Sequence, residues 1–363
     1  MAARHPLLGL VLITLFAGCE NRPQANSTIE PQVTGDDPAV AAAVEKVATD
    51  LKRDGNSRIV EVNFRGAEVT DEVLAQLPSL PVLKSVLLNE VMISEAGLES
   101  LGKIETLQNL DLRGCPVSNA GLAHLVGLSE LRALRLSGQS GTTTVDEEGM
   151  DSIGKLSNLK ALSLDFLWVS EDGLGKLGGL KQLQELNLAK TLIGDEALGT
   201  LSQFPQLKKL RISQTQVSSA GLEHLPVLTN LKELDVSENS QIFDDGLMHL
   251  AGMTQLTHLN LWRDAITDLG VEHLSGLTNM QWLNLDNTQV SDAGLSHLSG
   301  MTKLTFLHLG STAVTDAGLS KLEPLKSLKD LKVTRTAVTE AGVAELQKAI
   351  PQARIQLKYI EGQ

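Results

Sequence analysis

The residues of this 363-residue chain that could do chemistry are spread along it at even spacing. Five histidines, His124, His224, His249, His273 and His297, each precede a leucine, and the last four are separated by 25, 24 and 24 positions. A metal needs ligands that converge on one ion with bonds of about 2 Å. Even spacing sets parallel side chains on successive elements, where they diverge, so no metal site is expected. Acids recur in the same way at Asp268, Asp292, Asp316 and Glu340, which singles out no pair for acid–base work. The chain has no GxGxxG after a strand, no P-loop, no HExxH and no GxSxG. No catalytic residue and no cofactor is expected. The uneven feature is aromatic: His258, Asn260 and Trp262, then Trp282, Asn284 and Asp286, then Phe306 and His308, all sit between or beside leucines in consecutive segments.

The elements that position these residues derive from one repeat. The pattern LxxLxL begins at Leu83, Leu107, Leu131, Leu159, Leu183, Leu207, Leu231, Leu256, Met280, Leu304 and Leu328, mostly at steps of 24. In each unit the LxL alternates apolar and polar residues with period two, which predicts a half-buried strand. A turn comes next, then Ser or Thr, an acid, small residues and Leu, as in Ser291-Asp292-Ala293-Gly294-Leu295. That order predicts a helix with Ser291 as N-cap and Asp292 complementing the helix dipole. The residues between the leucines of each strand point away from the core. Since parallel strands lie about 4.8 Å apart, His258, Trp282 and Phe306 are expected to form one row.

Composition agrees with a repetitive scaffold. Hydrophobic residues make up 42% of the chain, yet aromatics are only 3%, and glycine reaches 31. Lys and Arg total 31 against 44 Asp and Glu, a net charge of −13. Without a basic excess to displace counterions, a nucleic-acid partner is excluded.

The pattern LxxLxLxxTxVTDxGLxxL resembles the leucine-rich repeat of the ribonuclease-inhibitor-like type, with repeats of about 24 residues, abundant in bacterial exported proteins. The resemblance implies an α/β solenoid, a horseshoe with a parallel sheet on its concave face and helices on its convex face. After the strand, where many relatives have Asn or Cys, this chain has Thr191, Thr215, Thr288, Thr312 and Thr336, with Cys115 and Asn239 at the same position. Cys115 is therefore read as a buried turn residue. The unit starting at Leu131 carries four extra residues within Ser137–Thr144, beside Phe166 and Trp168 on the next turn.

The N-terminus reads separately. Arg4 precedes the apolar run Leu7–Ala17, which is shorter than the roughly 20 residues of a membrane-spanning helix. Ala17-Gly18-Cys19 resembles the lipobox of bacterial lipoproteins, with Phe16 where that family has Leu. The resemblance implies a signal peptide over 1–18, a lipidated Cys19 and a tether over 19–37. A capping helix is expected over 38–55, with Val40, Val44, Val47 and Leu51 on one face. About twelve repeats are expected over 56–350, and a terminal strand within 351–363.

Together these imply a non-enzymatic, lipid-anchored scaffold of the bacterial cell envelope. A protein, peptide or glycan ligand is expected on the concave face at His258, Asn260, Trp262, Trp282, Asn284, Asp286, Phe306 and His308. The alternatives are an architectural envelope protein without a ligand and a substrate-recruiting subunit like the F-box leucine-rich repeat proteins.

Overall fold

A computed structural model describes residues 35–358; the expected signal peptide over 1–18, Cys19, the expected tether up to residue 34 and residues 359–363 lie outside the described residues. Fourteen short strands form one sheet in chain order. The first pair, Asp50–Arg53 against Ile59–Asn63, is antiparallel. The later pairings are parallel, and they hold Leu259, Leu283, Leu307 and Leu331 level with one another. Those leucines are fully buried and belong to a single continuous apolar core.

In most repeats the strand ends in a turn that one side chain holds by donating a hydrogen bond, though Val91 and Leu167 stand at the same position without a donor. Thr191, Thr288, Thr312 and Thr336 donate their hydroxyls to the carbonyl three residues back, at 2.6–2.7 Å. Asn239 Nδ2 donates to Val236 O and Ile212 O at 2.8 and 2.9 Å. Cys115 Sγ donates to Leu88 O at 3.0 Å and is fully buried. The position thus satisfies backbone carbonyls that the solenoid buries. Asp264 occupies it in the next unit, and an ionised carboxylate has no proton to donate.

The repeat segments opposite the sheet are α-helices or 3₁₀ turns of three to eight residues, apart from Glu340–Ala349 at the C-terminal end. Thr267, Thr315 and Thr339 cap their helices by accepting from the N–H of Leu269, Ala317 and Gly342. Ser291 accepts from Ala293 N–H at 3.3 Å, but the element it leads into is the 3₁₀ turn Gly294–Leu298. The role expected for Asp292 is corrected. Its carboxylate reaches forward to the next unit, where Oδ1 accepts from Thr315 N–H at 2.7 Å and Oδ2 from the Thr315 hydroxyl at 2.6 Å. Asp195 holds Ser218, Asp244 holds Thr267, Asp268 holds Ser291 and Asp316 holds Thr339 in the same way. Each acid therefore clasps the capping residue of its neighbour.

The capping helix expected over 38–55 is also corrected. The helix is Pro38–Val47, opened by Asp37, whose Oδ1 accepts from Ala39 N–H at 2.7 Å. Leu51 lies in the strand Asp50–Arg53, paired with Val62. The first repeat strand would otherwise leave its edge unpaired, and an open edge is costly to leave exposed. Thr49 starts the cover by donating its N–H and hydroxyl to Asn63 O, at 2.8 and 3.0 Å. At the far end, Arg354–Gln356 adds a last parallel strand to Asp330–Lys332.

Candidate interaction surface

On the sheet face, parallel register brings His258, Trp282 and Phe306 directly beside one another. The Trp282 and Phe306 rings stack with centroids 5.1 Å apart and planes 5° apart. His258 stacks on Trp282 from the preceding strand at 6.4 Å and 21°. Thr257 Oγ1 lies 2.9 Å from His258 Nδ1, fixing that ring, and Lys332 Nζ lies 5.9 Å from the Phe306 centroid. The row is half-buried because its members cover one another's faces and leave their edges toward solvent.

Asn260, Asn284 and His308 form the next line in register. Asn260 Oδ1 accepts from Trp262 N–H at 3.2 Å, and Asn284 Oδ1 from Asp286 N–H at 3.0 Å. These two amides spend one oxygen each on closing the strand end. His308 meets the edge of Phe306 at 6.3 Å and 72°, and its Nε2 lies 3.8 Å from Asp286 Oδ1. Burial pushes the His308 imidazole below its usual range and Lys332 adds to this, against the pull of Asp286. Trp262 stands at the strand end with the Arg263 guanidinium 5.2 Å from its ring.

A hollow of about 340 Å³ adjoins the row and extends it to charged residues that are not among those expected from the sequence. It is lined by Lys209, Arg211, Glu233 and Asp235 as well as by His258 and Trp282. Lys209 pairs with Glu233 at 2.9 Å, and Arg211 lies 3.4 Å from Asp235. Alternating charge along the strand pattern signals such a lattice, but only the register shows that it meets the aromatic row. Here the surface offers aromatic edges, amides and paired charges in one strip, which suits contact with another chain.

The remaining candidates stay apart. His124, His224, His249, His273 and His297 stand on the side opposite the sheet, and among the described residues no three His, Cys, Asp or Glu side chains are grouped to hold a metal. The inserted loop is fixed by Thr143, whose hydroxyl donates to Cys115 O at 2.8 Å and Ser137 O at 3.0 Å. Trp168, beside this loop, bridges through its backbone to Asp146 and leaves its side chain 73% exposed.

A leucine rich repeat family model matches residues 254–314, and a second leucine rich repeat model matches 227–251. The first span contains the aromatic row. An internalin of Listeria monocytogenes (inlF) has 18% identity and a TM-score of 0.60, over 89% of this chain and 94% of that one. A second internalin of that organism has 24% identity and a TM-score of 0.44, over 59% of this chain and 84% of that one. Comparison with curated proteins gives no match. The chain carries leucine-rich repeats in an α/β solenoid fold like that of the first internalin.

Proposed function

We propose that this protein is a non-enzymatic scaffold held at a bacterial envelope membrane by a lipid on Cys19, and that it takes a protein or peptide ligand on its concave sheet face around Trp282. The observation that carries the ligand reading is the stack of His258, Trp282 and Phe306 in register. Aromatic anchors beside polar groups are the usual make-up of an interaction hot spot. The same stack favours a polypeptide over a glycan. A sugar would use an open ring face, and both faces of Trp282 are covered, one by His258 and one by Phe306. The row offers edges, which fit apolar side chains, with Asn284 and the Lys209–Glu233 pair for backbone and charged groups.

Cross-linking in envelope preparations tests the reading. Cells producing the wild-type chain are expected to yield a protein adduct that disappears when Trp262, Trp282 and Phe306 are all replaced by alanine. Arg135→Ala, on a strand far along the same face, is expected to keep it. Identical adducts from the wild type and the triple variant would remove the concave site and leave an architectural role.

A further inference from the structure

One position of the repeat, the residue just before the buried apolar side chain that leads into the helix, faces solvent on the rim of the solenoid. In the C-terminal half it is Gln216, Gln241, Ala265, Gln289, Ala313 and Ala337, all exposed but the half-buried Ala265. Folding therefore asks nothing bulky of this position. In the N-terminal half it is Met92, Pro116, Thr144, Trp168 and Leu192, with Met92 71%, Trp168 73% and Leu192 43% exposed. Bulky apolar side chains thus gather at this position on one stretch of the rim only, broken once by Thr144.

The inserted loop widens that stretch. With Phe166, Trp168 and Leu192 it lines a hollow of about 750 Å³ that has no lysine or arginine among its lining residues. Asp146, Glu147 and Glu148 form one wall. The exposed acids Asp172 and Glu196, which open the next two helices, continue the same charge along the rim. Asp146 is held ionised: Asn119 Nδ2 and the Glu148 N–H donate to it and lower its pKa. A second copy of the chain, with its net charge of −13, would bring like charge to this rim.

We propose that this rim patch is a second interaction surface, separate from the sheet face, which takes an extended polypeptide segment with a bulky apolar side chain beside lysine or arginine. The apolar side chain lies against Trp168 and Leu192, and the cations face Asp146 and Glu148. Cationic groups at such a rim are attracted over a Debye length, about 10 Å at 0.1 M salt.

The test titrates the full chain with the capped peptide KVKLKVKLK and with its acidic counterpart EVELEVELE, read by calorimetry and tryptophan fluorescence. The basic peptide is expected to bind saturably, with a blue shift, and to weaken as salt rises. Trp168→Ala and Glu148→Lys should each weaken it about tenfold or more. Trp282→Ala should leave it unchanged, which separates this surface from the concave one. Circular dichroism checks that the exposed-site variants fold. The proposal is overturned if the basic peptide binds the Trp168→Ala and Glu148→Lys chains as tightly as wild type, or does not saturate by about 1 mM. Sedimentation showing a wild-type dimer that Trp168→Ala makes monomeric would assign the patch to a second copy and overturn it as well.

Discussion

Asp264 accepts the backbone N–H of Asn239 through Oδ1 at 2.9 Å, while its other oxygen, Oδ2, has no hydrogen-bond partner. The residue is 2% exposed, so the orphan oxygen is sealed in the turn ladder. Where Thr288 and Asn239 donate to a carbonyl, only a protonated Asp264 could do the same. Burial, with Asp235 and Glu238 adding to it, pushes the Asp264 pKa up to about 8.

That shift sets a pH dependence. The unfolded chain releases the Asp264 proton near pH 4, whereas the folded chain keeps it to about pH 8. Across that window the folded state binds more protons, so this residue makes stability fall as pH rises, by at most about 1.4 kcal/mol per pH unit. Asp264→Asn removes the titration and supplies a donor as Asn239 does. Denaturant midpoints from about pH 4.5 to 8 should show the variant gaining on wild type with rising pH. Parallel curves would refute the assignment.

The clasps act with the opposite sign. Donation from Thr339 lowers the Asp316 pKa, so its stabilisation is present above the unfolded value and is lost as pH falls through the folded one. Asp316→Asn should be less stable than wild type near pH 7. The two should converge in acid, where both side chains are neutral. A thermal-melt difference that persists unchanged at low pH would count against the clasp.

Cys115 should be inert in the native chain. Its thiol is pushed up to about 11, chiefly by burial. In a Cys19→Ser background, a thiol reagent at pH 7.5 should label Cys115 only as denaturant opens the solenoid. Cys115→Thr should fold, because threonine serves this position in other units. Rapid labelling of the folded protein would contradict the buried hydrogen bond to Leu88.

Trp282 and Leu283 separate binding from folding. Leu283 is fully buried, and its truncation should cost about 2–5 kcal/mol. Trp282 has more to lose than an exposed side chain, since its stacking is worth roughly 0.5–1.5 kcal/mol for an aromatic pair. Trp282→Ala should therefore lower the melting temperature measurably, though less than Leu283→Ala, while removing the ligand contact. Arg211 and Asp235 line the adjoining hollow, so Arg135 is the proper control. Equal destabilisation by both substitutions would make the row a folding element.

In the proposed function, membrane attachment rests on one atom, the Cys19 sulfur. Cys19→Ser should move the chain from the membrane fraction to the soluble one and abolish incorporation of a fatty-acid probe. Continued labelling of the serine chain would end the lipoprotein reading.

The repeat was legible because one period sets both the core leucines and the residues between them, so the row at His258, Trp282 and Phe306 emerged from counting. Direction was not legible. Asp292 stands where a helix-opening acid belongs, and nothing local tells that its carboxylate reaches Thr315 instead of its own helix. Leu51 fits a helical face with Val44 and Val47, but the need to cover Ile59–Asn63 arises only once the sheet exists. Asp264 escapes the pattern because Thr, Asn and Cys mark its position by donating, and an acid becomes comparable only when burial keeps its proton.

Each turn also holds a residue in the left-handed region, and Glu90, Phe166, Lys190, Gln214, Glu238, Arg263, Ser311 and Arg335 all sit there at φ between 52 and 62°. Asn287 alone among the non-glycine repeat residues is of a type at ease in that conformation. Strain of about 1 kcal/mol at each site is a reserve of stability the chain has left untapped. Asparagine at several of these turns would raise the melting temperature without touching the core, giving a toughened solenoid on which concave-face substitutions could be made freely.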